Sequence, residues 1–223
     1  MKDKLNIKYY PLLNRGDWAQ LKLEEVLTEL PNLVVSDIGA GFGWFGDIVK
    51  KNGLELQSFD QVRKNSNVII WDLNYPAPPL IKSPGFIVML EVIEHLSNPE
   101  LSIKNISNHI AEDGYIVMSS PNPFYSKNKF EFLFKNRFYA FQKKHLIEHH
   151  VFLPLPHVVK FYMKNYGFEL IEYAVLGKND LPKMEFKLNY LKSLLRFWVE
   201  KILIGNSVVT KGNTQAFLFK KSG

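Results

Sequence analysis

The chain has 223 residues, a formal net charge of +6 with neutral histidines, and no cysteine. Its length suits one α/β domain with a substantial core. The absence of cysteine excludes disulfides and thiolate zinc sites, and no apolar run reaches the roughly 18 residues of a membrane-spanning helix. Met1-Lys2-Asp3-Lys4-Leu5 lacks the apolar core of a signal peptide, so a cytoplasmic protein is expected. The charge is uneven: residues 1–121 balance to −4, residues 122–148 to +4 and residues 178–223 to +6. A basic later half can face an anionic substrate, a nucleic acid or a membrane surface. A lysine-rich solvated surface is the plainer alternative.

Residues 1–16 show turn signals at Tyr9-Tyr10-Pro11 and Asn14-Arg15-Gly16. Asp17 is the expected N-cap of a helix carrying Trp18, Leu21, Leu23, Val26, Leu27 and Leu30, ended by Pro31-Asn32. Leu33 to Ile38 reads as the first strand. It runs into Asp37-Ile38-Gly39-Ala40-Gly41-Phe42-Gly43. Beyond that turn Trp44, Phe45, Ile48 and Val49 recur at helical spacing until Asn52-Gly53. Such a turn lets a ligand approach bare backbone beside the positive end of a helix dipole. Gly41, Gly43 and Gly46 also satisfy G-x-G-x-x-G, the dinucleotide fingerprint, which keeps a nicotinamide-dependent oxidoreductase open. A loop that merely reverses the chain is the third reading.

Leu54 to Asp60 is the second strand. Asp60 follows the glycine turn at close to the ~20 residues expected of a carboxylate that accepts from ribose hydroxyls. Val68-Ile69-Ile70-Trp71 ends at Asp72-Leu73-Asn74, and four prolines break the next segment. Phe86 to Leu90, apolar throughout, is a strand buried on both faces, and it runs into Glu91-Val92-Ile93-Glu94-His95-Leu96. Asn98-Pro99 opens a helix that Glu112-Asp113-Gly114 ends, and Tyr115 to Ser120 is the fifth strand. Residues 122–148 interleave eight aromatics with six Lys/Arg. Most of these aromatics are expected on the core side of an amphipathic helix. The alternative is stacking on a ring and pairing with phosphate. Leu153-Pro154-Leu155-Pro156 starts a helix with Val158, Val159, Phe161 and Tyr162, and Tyr166-Gly167 leads into a sixth strand. Leu188, Leu191, Leu194, Leu195, Trp198, Val199, Ile202 and Leu203 share a helical face, expected to pack on the sheet or to meet a membrane or partner. Gln215 to Lys220 is a last strand, expected at the sheet edge.

The D-x-G-x-G-x-G turn, the acidic strand ends, E-V-I-E-H-L and Ser120-Pro121-Asn122 follow one another over residues 33–122. In that order they resemble class I S-adenosylmethionine-dependent methyltransferases, and among these the ubiquinone-pathway O-methyltransferase-like family with an E-x-x-E-H motif. A looser likeness continues to Glu172. The resemblance implies an α/β, Rossmann-like, doubly wound, seven-stranded mixed sheet with an antiparallel last strand. Residues 1–223 would form a single domain with insertions at about 122–150 and 178–206. It implies cofactor contacts from Asp37, Gly39, Ala40, Gly41, Gly43, Asp60, Gln61, Asp72, Leu73 and Leu90. Asp37 would orient the methionine part, Asp60 the ribose and Asp72 the adenine amino group, with Leu73 beside the ring.

His95 is the expected general base. Glu91, Glu94 and His95, at i, i+3 and i+4, would share one side of a helical turn and can hold Mg2+ or another divalent cation. A distant histidine completes the similar site of small-RNA 2′-O-methyltransferases, and His150 is the matching position. The expected activity is O-methylation of a small molecule or a glycan or lipid precursor, with the basic half touching an anionic substrate or a membrane surface. The alternatives are an RNA 2′-O-methyltransferase that uses a divalent metal and the oxidoreductase above.

Overall fold

The computed structural model describes residues 7–30, 33–178 and 207–222, with six further positions between 190 and 198. One sheet holds β1 (Ile7–Tyr10), β2 (Val34–Ile38), β3 (Glu55–Asp60), β4 (Val68–Ile70), β5 (Phe86–Leu90), β6 (Tyr115–Pro121), β7 (Phe168–Leu176) and β8 (Thr214–Lys221). Their spatial order is β1-β7-β8-β6-β5-β2-β3-β4. β8 runs antiparallel to both β6 and β7, and every other pair is parallel. The seven expected strands are all present, and β1 is an eighth. Only four residues long and followed at once by Pro11, β1 carries no alternation that distinguishes it from a turn. β8 does not lie at the edge. Ala216, Phe217, Leu218 and Phe219 are all buried, and only an interior position covers both faces of such a run.

The helices are α1 (Arg15–Leu27), α2 (Gly46–Lys51), α3 (Pro99–His109), α4 (Ser126–Lys135), α5 (Lys143–Ile147) and α6 (Pro156–Asn165). Asn14, not Asp17, caps α1: its Oδ1 accepts from Gly16 N at 2.8 Å and Asp17 N at 3.1 Å. α2 begins at Gly46 rather than Trp44, because the chain first makes a tight turn in which Gly46 N donates to Gly43 O at 3.0 Å. The helix start therefore lies beyond the glycine turn, and a helix this short lends that turn no dipole argument. Along β5, Phe86 and Val88 pack with α1 residues Trp18, Leu23 and Val26, while Ile87 and Met89 pack with Ile103 and Ile106 of α3 and Val159 and Met163 of α6. This alternation builds a core on both faces. The C-terminal ends of β2, β3 and β5 meet where the strand order reverses, the place where open α/β sheets bind ligands. Of the apolar face expected over 178–206, Leu188, Leu195, Val199, Ile202 and Leu203 lie outside the described residues, and Leu191 and Trp198 are exposed.

Two buried polar clusters support this frame. Glu172 on β7 accepts from Lys8 Nζ at 2.6 Å, Lys22 Nζ at 3.0 Å, Tyr10 Oη at 3.0 Å and Trp18 Nε1 at 3.4 Å. It ties β1, α1 and β7 together. On the other face His109 Nε2 lies 3.1 Å from Ser36 Oγ, with Phe59 and Trp71 edge-on to its ring.

Burial pushes His109 down to about 4 from an ordinary 6.5, so the folded protein keeps it neutral while the unfolded chain protonates. The stability it contributes is complete above pH ~6.5 and is lost as the pH falls toward 4, by roughly 3 kcal/mol. Asp37, raised in the fold, gives the opposite trend. The expected result is therefore a difference: His109→Gln should lose most of the gap to wild type as urea unfolding is moved from pH 7 to pH ~4.5. A gap independent of pH would contradict it.

Candidate functional site

The glycine turn is pinned to β3, with Gly39 N and Ala40 N donating to Phe59 O at 2.8 and 3.0 Å. Gly39 holds φ +77°, and a Cβ there would collide with Val92 Cγ2. Only glycine fits this approach between the turn and the segment after β5. Asp60 Oδ2 accepts from Gly41 N at 2.9 Å and its Oδ1 from Val62 N at 3.1 Å. Two hydrogen bonds leave a carboxylate about two further acceptor positions. Beside it opens a cavity of about 390 Å³, lined by Gly39, Gly41, Asp60, Gln61, Asp72 and Leu73 on one side and by Glu91, His95, Glu148 and His149 on the other.

Of the remaining cofactor residues, Ala40 is buried beneath the turn, Gly43 holds it open at φ +81°, and Leu90 packs against the core on the α1 side. Asp72 Oδ1 accepts from Asn74 N and Nδ2 at 3.0 and 2.9 Å. The carbonyl of Leu73 accepts from Asn105 Nδ2 at 2.9 Å. The Leu73 side chain is buried in the core cluster at the edge of the cavity. Asp37 lies at the end of β2, 5% exposed, and its Oδ2 has no hydrogen-bond partner among the described residues. Burial, then the charge of Asp60, pushes it up to about 7. A buried carboxylate left unsatisfied is costly, and cations or donors relieve it.

E-V-I-E-H-L does not form the expected α-helical turn. Glu91 takes a left-handed conformation at φ +55°, and only Ile93–His95 turns, as a 3-10 helix. Glu91 consequently points toward β6, where its Oε1 accepts from Ser119 Oγ at 2.8 Å. It stands outside the group formed by Glu94, His95 and His150, whose ligand atoms lie within 4.8 Å of one another. His150 arrives because Val151 N and Phe152 N donate to Glu94 O at 2.9 and 3.0 Å. Both carboxylate oxygens of Glu94 and His150 Nδ1 are buried without a hydrogen-bond partner among the described residues. Burial, then Glu91, pushes Glu94 well above the usual carboxylate range, and burial holds His95 and His150 below 6.5.

Several site residues carry no signal in the sequence. Glu148 and His149, the latter at φ +67°, could have been sought beside His150. Ser119 lies within β6 and Trp71 directly follows β4, both in ordinary strand sequence. Arg15 reaches the area from α1, and its charge pulls Glu91 and Glu94 downward against the larger effect of burial. Arg15 also lines a second cavity of about 660 Å³, with Trp44, Asn213 and Thr214.

Residues 14–173 match the family described as Methyltransferase domain. No curated protein matches the chain. Among solved structures, an S-adenosylmethionine-dependent methyltransferase of Archaeoglobus fulgidus is 18% identical with TM-score 0.58, covering 91% of this chain and 94% of its own. One from Mesorhizobium loti is 14% identical with TM-score 0.55, over 92% and 98%. The N-methyltransferase NodS of Bradyrhizobium japonicum, solved with S-adenosyl-L-homocysteine, is 11% identical with TM-score 0.51, over 99% and 90%. These likenesses concern the fold, whereas the family match replaces the dinucleotide reading of Gly41, Gly43 and Gly46. The chain, matched over most of its length, belongs to the methyltransferase-domain family.

Proposed function

We propose that the protein is an S-adenosylmethionine-dependent O-methyltransferase acting on a small molecule or a glycan or lipid precursor. The observation that carries this reading is the buried Asp37 carboxyl at the glycine turn, its Oδ2 without a partner among the described residues, with Asp60 nearby. Together they suit a ligand that bears positive charge and a ribose diol. When bound, the cofactor supplies an electrophilic methyl group on a sulfonium. Asp37 attracts the cationic methionine end, Asp60 accepts from the ribose hydroxyls, and Asp72 with the Leu73 side chain frames the base. The protein's main contribution is then alignment of acceptor and methyl. Calorimetry with S-adenosylhomocysteine tests this. Asp60→Ala should weaken binding by about 1.5–3 kcal/mol through lost charge-assisted hydrogen bonds. Wild-type affinity in that variant would mean that Asp60 is not the ribose residue.

Glu94, His95 and His150 fit a divalent cation, since a buried carboxylate and two half-buried imidazoles converge and the Glu94 oxygens have no hydrogen-bond partner among the described residues. Two imidazoles and one carboxylate favour Mn2+, Co2+ or Zn2+ over the Mg2+ of the sequence reading, because Mg2+ prefers oxygen donors. Such a cation would acidify an acceptor hydroxyl. A second reading uses no cation and takes His95, on the cavity wall, as the general base. Activity insensitive to chelator would select the second.

A further inference from the structure

The polarity of α4 is inverted. Its buried residues are Ser126, Asn128 and Glu131, whereas Phe132, Leu133 and Phe134 are 51%, 58% and 56% exposed. The expectation that most aromatics of this segment face the core is thus corrected: of the eight, only Tyr125 is fully buried. Specific bonds hold the polar side inward. Asn128 Nδ2 donates to Asn122 O at 2.6 Å, and its Oδ1 accepts from Tyr139 N at 2.8 Å. Glu131 accepts from Lys135 at 2.6 Å and Arg137 at 2.9 Å. The Asn128 bonds reach outside the helix, which cannot roll its aromatic side inward without breaking them, while Glu131 is satisfied along its own helix and just beyond its end. α5 buries no residue, and its Ile147 is 77% exposed. Beside α4, Phe124, Phe132, Phe138 and Leu155 wall an apolar groove of about 280 Å³. Exposed apolar surface of this kind marks a contact site.

Charge indicates what covers it. Lys143 and Lys144 begin α5, and residues 122–148 balance to +4 while residues 1–121 balance to −4. A partner that is apolar inside and anionic across its whole surface satisfies both features, and a bilayer with acidic headgroups has that layering. Lysine stems can lie along the apolar side and keep their ammonium groups at the headgroups. We propose that α4, α5 and the chain to Val151 form a docking surface for an anionic phospholipid bilayer. Glu148 and His149 follow α5 directly and line the cavity of the candidate site. Docking therefore sets the mouth of that cavity against the lipid. On the activity proposed above, this selects a lipid-linked acceptor; the docking itself does not depend on that activity.

The test is co-sedimentation of the full chain with vesicles of phosphatidylcholine alone or with about one third phosphatidylglycerol. Binding is expected to be roughly tenfold or more tighter to the anionic vesicles and to weaken with salt. Leu133→Asp with Ile147→Asp, and separately Lys143→Glu with Lys144→Glu, should each reduce it by roughly tenfold or more. Melting temperature and S-adenosylhomocysteine affinity should not change, which separates failure of docking from failure of the cofactor reading. The proposal is overturned if wild type stays in solution with anionic vesicles or if both double variants sediment as wild type does. It is equally overturned if the apolar variant instead dissociates a dimer in sedimentation equilibrium, which would assign the face to a second copy.

Discussion

Glu94→Gln should remove the protein's response to divalent cations without loosening its fold. Both Glu94 oxygens are buried without a hydrogen-bond partner among the described residues, and burial holds the carboxyl well above its ordinary range, so the amide keeps the size and removes a group whose charged form the metal-free fold already disfavours. The metal-free variant is expected to melt at or above the wild-type temperature. At a cation concentration of about a hundred times Kd, wild type should gain about 2.7 kcal/mol of stability and the variant none. With a hydroxyl acceptor, kcat/KM should fall by about 10³-fold, since cation activation of an oxygen supplies several kcal/mol of the barrier. Thermal melts with Mn2+ or with chelator provide the check. Identical curves for both proteins under both conditions would leave His95 as the base and remove the cation.

Glu172→Leu should cost about 3–5 kcal/mol, because it leaves the ammonium of Lys22, 1% exposed, with the half-exposed Glu25 as its one remaining carboxylate among the described residues. Lys22→Met in the same chain should recover most of that loss, since a buried ion pair replaced by apolar groups of similar volume is often near neutral. Urea unfolding at pH 7 measures both, and a double variant as unstable as the single one would contradict the assignment. The pH dependence has a definite sign. Burial pushes Glu172 up, but hydrogen bonds from Lys8 and Lys22 outweigh it and hold the carboxyl below 4.5. Its contribution is therefore present at neutral pH and lost as the pH falls through the range below 4.5.

The strands of the cofactor half can be read from the chain because their signals are local: Phe86 to Leu90 is apolar throughout, and Gly39 and Asp60 mark the ends of their strands. His150 stands beside Glu94 and His95, carried there by the two backbone bonds that Val151 and Phe152 donate to Glu94. What escaped depends on partners distant in sequence or on backbone hand. β8 is interior because of β6 and β7 on either side, which its own residues do not name. Glu91 leaves the cation group because its backbone is left-handed, so spacing alone misplaces it. α4 turns its aromatics outward because Asn128 is bonded to the backbone of Asn122 and Tyr139 outside the helix, a choice invisible to helical periodicity. Arg15 acts on Glu91 and Glu94 through its charge, from a helix whose pattern speaks only of core.

The most direct measurement is a crystal structure of the protein grown with S-adenosylhomocysteine. The ribose hydroxyls are expected on Asp60, with the adenine beside Asp72 and Leu73 and the homocysteine end toward Gly39 and Asp37. An adenosine lodged in the larger cavity near Arg15 and Asn213, with Asp60 untouched, would contradict the assignment.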